Sequence, residues 1–304
     1  MRPEAPKALG APVPAPVPAT ASAFAPQRWL DRPASATQIT HRARLWLYAL
    51  AGAVLAFLLI PTLIVIPMSF SASQYLEFPP KKWSLRWYEH YFSSVTWMSA
   101  TATSLKAAAL TSLLATPIGT LAAYGLSASR LRAARALQVL LITPMIVPVI
   151  LIAVGVFYVY VKVKLNNSLM GLVLAHTMLA VPIVMIVVAS ALKSFDMNQE
   201  MVARSLGASR PRAFLTVTLP QIRFAVVSAA VLSFLTSFDE VILALFVSGG
   251  ANSTLTRQMF LALRDQIDPT IAAISTIMIL VTTLMFVLVQ LFGQSASEAQ
   301  RDER

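Results

Sequence analysis

EMVARSLGASRPRAFLTVTLP, residues 200–220, interrupts two of the most apolar runs of the chain with a polar segment punctuated by Gly207, Pro211 and Pro220. Upstream, residues 165–192 carry no Asp, Glu, Lys or Arg. Downstream, residues 224–248 carry only Asp239 and Glu240. A segment of this kind, flanked by membrane-grade sequence, belongs outside the bilayer.

Working outward, residues 45–76, 107–129, 136–161 and 269–297 are also free of charged side chains. Each run exceeds the roughly 20 residues a helix needs to cross about 30 Å of hydrocarbon. In lipid the backbone must satisfy its own hydrogen bonds, so these runs read as helices; barrel strands would be shorter and would alternate. The fold class expected is therefore an all-α membrane protein with six spans, at about 45–69, 101–127, 137–161, 168–192, 223–248 and 270–293. With 57% apolar and 12% charged residues in 304, the composition agrees.

The net charge of +11 invites a nucleic-acid reading, but its distribution opposes one. With both termini placed inside, sixteen of the 24 Lys and Arg fall on inner segments, among them Arg42, Arg44, Arg130, Arg132, Arg135, Arg204, Arg210 and Arg212. Seven fall on outer loops, and Lys106 lies near a helix end. This is the positive-inside bias of a membrane protein, so the basic residues orient the chain and meet anionic lipid. Cysteine is absent and the three histidines are scattered, so no metal site is expected. His176, inside a span, is expected to pack at a helix interface.

Residues 1–43, with APVPAPVPAT, have the composition of a disordered tail, and 294–304 are expected to form a second tail. Ala115, Gly119 and Ala123 make a small-residue stripe that allows close helix approach. Pro144 and Pro148 interrupt the third span and Pro182 the fourth. In the segment 194–222, Asp196 and Gln199 have capping-box spacing, Gly207 can stop the helix, and Ser209 can cap a second one starting near Pro211. Phe214 and Val217 would share a face, and Pro220 would end the segment. A helix–turn–helix beneath the membrane results; a docking knob and an amphipathic helix resting on lipid are its two readings.

The spacing resembles the coupling loop of type I ABC importer permeases: Glu-Ala-Ala, three residues, Gly, nine residues, then Ile-x-Leu-Pro. Ala203, Gly207, Val217, Leu219 and Pro220 keep it, whereas Met201 and Val202 stand at the Glu and first Ala positions and Glu200 lies one residue early. SFDEVILALFVSG (237–249), WSLRWYEHYF (83–92) and TLTRQMF (254–260) are similar to the permeases of spermidine/putrescine importers. The resemblance spans residues 45–293. It implies a coupling loop carried by Glu200, Ala203, Gly207, Ala208, Phe214, Leu219 and Pro220. It further implies cytoplasmic ATPase subunits, a second permease subunit and a periplasmic binding protein as partners. ATP and magnesium would sit on the ATPase, since no Gly here is followed by Lys as a phosphate-binding loop requires. The chain would be no enzyme.

Asp239 and Glu240 are the only adjacent acids within a span. Each costs at least about 2.5 kcal/mol to bury in lipid, so they should face protein or water. One could line a pathway for a cation such as a polyamine, or both could be structural, capping a broken helix or pairing with another subunit. Adjacent residues diverge by about 100° on a helix, so at most one is expected to face a pore.

Overall fold

A computed structural model describes residues 41–129, 132–265 and 267–302. The chain divides into two units, Met1–Pro61 and Thr62–Arg304. Most of the expected first tail, 1–40, lies outside the described residues. In the first unit, a short 3₁₀ turn (His41–Arg44) leads into helix α1 (Leu45–Met68), which continues across the unit boundary.

The second unit is built on three helices: α3 (Val95–Ser127), α6 (Leu169–Ser194) and α9 (Leu219–Phe238). α3 and α6 lie close because their facing side chains are small. Ala115, Gly119 and Ala123 are all buried, as the stripe predicts. A Cβ added at Gly119 would lie 2.7 Å from Val184 Cβ, so only glycine fits without displacing α6. The opposite faces leave Leu113, Leu121 and Ile186 exposed, as helices wetted by lipid must. Short helix α2 (Arg86–Ser93) precedes α3, packs Trp87 and Tyr91 inward and joins α12 (Thr270–Asp302) through His90 Nδ1 and Thr270 Oγ1 at 2.9 Å. α12 continues as helix to Asp302, past the end expected at 293.

Among the described residues, five helices are long and apolar enough to cross a membrane, and a bent pair makes a sixth candidate. That pair is α4 (Arg132–Ile146) and α5 (Val149–Val163), turned by 101° at residues 147–148. Pro148, in the extended conformation that proline favours, is the N-cap of α5 and removes the donor that would continue α4. Two other expectations are corrected. The fifth span does not run to 248: α9 stops at Phe238, and a separate short helix α10 (Ile242–Val247) follows. Its other end extends further than expected, back to Arg210, as a single 29-residue span. Pro220 therefore ends nothing. It sits in the first turn of α9, where a missing N–H costs little, after a π turn over Phe214–Thr218 that widens the backbone to admit it. Helix α11 (Leu255–Asp265) completes the unit between α10 and α12.

Candidate functional site

The polar segment consists of α7 (Asn198–Ser205), a tight turn, and α8 (Arg210–Ala213) running through the π turn into α9. Its entry differs from the expected capping box. Asp196 Oδ1 accepts from Asn198 N at 3.0 Å, a local turn that makes Met197 the N-cap, and the Gln199 side chain bonds Gln221 instead. Ser209 occupies the N-cap position of α8, but its side chain makes no capping bond.

The exit of α7 is closed by backbone alone. Ala208 N donates to Ala203 O at 3.1 Å and Gly207 N to Arg204 O at 3.0 Å. These are the paired bonds of a Schellman turn, and they require a left-handed residue between them. Gly207, at φ +96°, supplies it. The fixed separation of Ala203, Gly207 and Ala208 in the sequence is thus the spacing of one turn.

α7 has two faces. Met201, Val202 and Leu206 are 53%, 59% and 84% exposed, three large apolar side chains presented outward. Glu200 is only 3% exposed and points into the bundle. Its Oε1 accepts from Tyr124 Oη at 2.6 Å, and its Oε2 from Thr218 Oγ1 at 2.8 Å. A buried carboxylate is costly unless its oxygens are hydrogen-bonded, and here both are. Phe214, also buried, stacks obliquely on Tyr124 with ring centroids 4.5 Å apart. Thr218 is fully buried beside it, while Val217, expected to share the Phe214 face, is half-buried. Ala203, Ala208 and Leu219 are half-buried, and Pro220 is exposed. Sequence reasoning missed Tyr124 and Thr218. Neither belongs to a local pattern that would have marked it.

The second constellation lies at the break after α9. Asp239 N closes that helix on Leu235 O at 3.0 Å. Glu240 turns back onto α10, its Oε1 accepting from Leu243 N at 2.8 Å, while its carbonyl accepts from Thr256 Oγ1 at 2.9 Å. The structure therefore gives Glu240 a capping geometry. Asp239 is exposed, and its carboxylate accepts no hydrogen bond among the described residues. With Glu240, Thr236, Met278 and Thr282 it lines a cavity of about 600 Å³ between α9 and α12. It also lines a second of about 340 Å³ with Thr256 and Ser275. Nearby in the bundle, His176 is buried at the α6–α9 interface, Nδ1 bonded to Ser237 Oγ at 2.7 Å. Ser237 in turn reaches Thr111 on α3 at 3.3 Å. Among the described residues, no group of three or more His, Asp or Glu gathers to hold a metal.

Residues 115–298 match the family described as binding-protein-dependent transport system inner membrane component. The spermidine/putrescine transport system permease protein PotC of Haemophilus influenzae is 33% identical over 238 residues, 78% of this chain and 92% of that protein. The putrescine transport system permease protein PotI of Escherichia coli is 30% identical over 230 residues, 73% of this chain and 82% of that one. In structure, a bacterial ABC transporter that imports alginate superposes with a TM-score of 0.61 at 14% identity, covering 84% of this chain and 98% of that one. At that identity the likeness is one of fold.

These helices, their loop and these relatives place the chain in a defined class, the transmembrane permease subunits of ABC importers. It belongs to the binding-protein-dependent transport system inner membrane component family, whose members are transport permeases and not enzymes.

Proposed function

We propose that this permease works with cytoplasmic ATPase subunits, a second permease subunit and a periplasmic binding protein to import polyamines. The observation that carries the coupling is the outward face of α7. Three exposed apolar side chains stand on a helix closed by a Schellman turn, a shape suited to seating in a protein cleft. With residues 194–222 on the cytoplasmic side, as the charge bias implies, the ATPase is the partner that cleft belongs to. ATP and magnesium bind there, and this chain supplies half of the pathway. Closure of the ATPase shifts the spans between inward- and outward-facing states.

The cargo reading is supported by the relatives PotC and PotI, permeases of spermidine/putrescine and putrescine transport systems, and by Asp239. An exposed carboxylate without a protein partner, beside a cavity, can attract an ammonium group. Both acids line that cavity, but their roles divide: Asp239 is left free to meet cargo, and Glu240 is committed to capping α10.

The test is reconstitution in proteoliposomes with radiolabelled putrescine. Uptake should require the ATPase subunits, ATP and the binding protein together. Uptake by this chain alone would overturn the ATP-driven reading. A complete importer that hydrolyses ATP in response to its binding protein, yet moves neither putrescine nor spermidine, would overturn the cargo reading and leave the coupling in place.

A further inference from the structure

The coupling segment has to do more than bind a partner; it must pass a movement to the spans. A short helix joined to a bundle by flexible chain would swing without moving it. α7 is joined to its neighbours by directed bonds. Glu200 lies on α7, Tyr124 in the last turn of α3, and Thr218 in the π turn that feeds α9. One carboxylate therefore ties the segment to two of the three central helices.

Glu200 is not presented to a partner: it is buried, and the residue at the pattern's Glu position is the exposed Met201. No ion pair to Glu200 occurs among the described residues, so two hydroxyl donors hold it. The π turn serves the same contact. Its extra residue rotates the adjoining helix by about 100° relative to an uninterrupted α-helix, and this sets the direction in which Thr218 points.

We propose that Glu200, Tyr124 and Thr218 form a latch. It makes α7 move as one body with α3 and α9, so that Glu200 is a positioning residue for energy coupling and does not contact the ATPase. The latch rests on the reading of 200–220 as the ATPase-docking segment.

The test uses the complete importer in proteoliposomes and reads the stimulation of ATP hydrolysis by the binding protein. That signal must cross the spans to the ATPase. Tyr124→Phe removes one hydroxyl and keeps the ring on Phe214; Thr218→Val removes the other. Each should cut the stimulation roughly threefold to tenfold, the size expected for the net contribution of one ordinary intramolecular hydrogen bond. The ATPase subunits should still co-purify in stoichiometric amount. Glu200→Gln, which can accept from one hydroxyl and donate to the other, should retain more stimulation than Glu200→Ala. Because the bonds are shared, Tyr124→Phe combined with Glu200→Ala should be no worse than Glu200→Ala alone. Wild-type stimulation in both Tyr124→Phe and Thr218→Val overturns the latch, as does loss of the ATPase from both, which would make these residues part of docking or folding. If the wild-type chain captures no ATPase at all, the docking reading fails, and the latch fails with it.

Discussion

Two of the interruptions in the helices of this permease are built by opposite means. The turn at Gly207 is closed by its own backbone, through bonds among residues 203–208 and one left-handed glycine. The break after Phe238 contains neither glycine nor proline. It is held by a Glu240 side chain folded back onto α10 and by Thr256, sixteen positions on. A turn of the first kind can be placed from sequence, because every atom that makes it lies within a few residues. A break of the second kind needs a distant donor in position. In the proposed function the same contrast divides the roles: the first interruption would shape a surface for a partner, and the second separates two adjacent acids.

The largest effect should come from Gly207. Gly207→Val forces a β-branched residue into the left-handed region at a cost of about 1–2 kcal/mol, and it reshapes the knob itself. ATPase subunits should be lost on co-purification and uptake should fall by at least about tenfold. Stoichiometric ATPase on that variant would show that the turn does not form the docking surface.

Next in size is Asp239→Asn, expected to lower putrescine uptake roughly tenfold at unchanged assembly, by removing the unpartnered carboxylate at the cavity. Unchanged uptake would remove Asp239 from the pathway. Glu240 should behave differently. Glu240→Ala deletes the acceptor for Leu243 N and should cost about 1 kcal/mol of stability, visible as a lower unfolding temperature in detergent. Glu240→Gln keeps an acceptor oxygen and should lose less. If Glu240→Gln abolished uptake while Asp239→Asn did not, the division of labour between the acids would be reversed.

The smallest effect belongs to Ser209→Ala. Its side chain makes no capping bond, so stability should stay within about 0.5 kcal/mol of wild type despite the capping position. A larger loss would show that the hydroxyl works on a partner outside this chain.

Much of the architecture is legible in local sequence. The charge-free runs mark the spans, Ala115, Gly119 and Ala123 mark the face of α3 that meets α6, and Gly207 marks the end of α7. The errors lie where a local signal meets a distant competitor. Asp196 and Gln199 have capping-box spacing, yet Gln199 finds Gln221 across the loop. Pro220 looks like a terminator, yet a π turn absorbs it. Glu200 falls by its place in the sequence among the residues of a coupling loop, yet its partners are in the bundle.

The bilayer and the backbone explain which features the chain encodes locally. A helix in lipid must satisfy its hydrogen bonds within the segment, so its extent is written in consecutive residues, and a Schellman turn is written in about six. The tertiary structure alone decided which way Glu200 faces, where the fifth span divides, and which of two neighbouring acids stays unpartnered. Glu200 and Tyr124 are 76 positions apart, and only the packing of α3 on α6 and α9 brings their oxygens to 2.6 Å. Side-chain pairing at that separation depends on every helix between, and no stretch of local sequence encodes it.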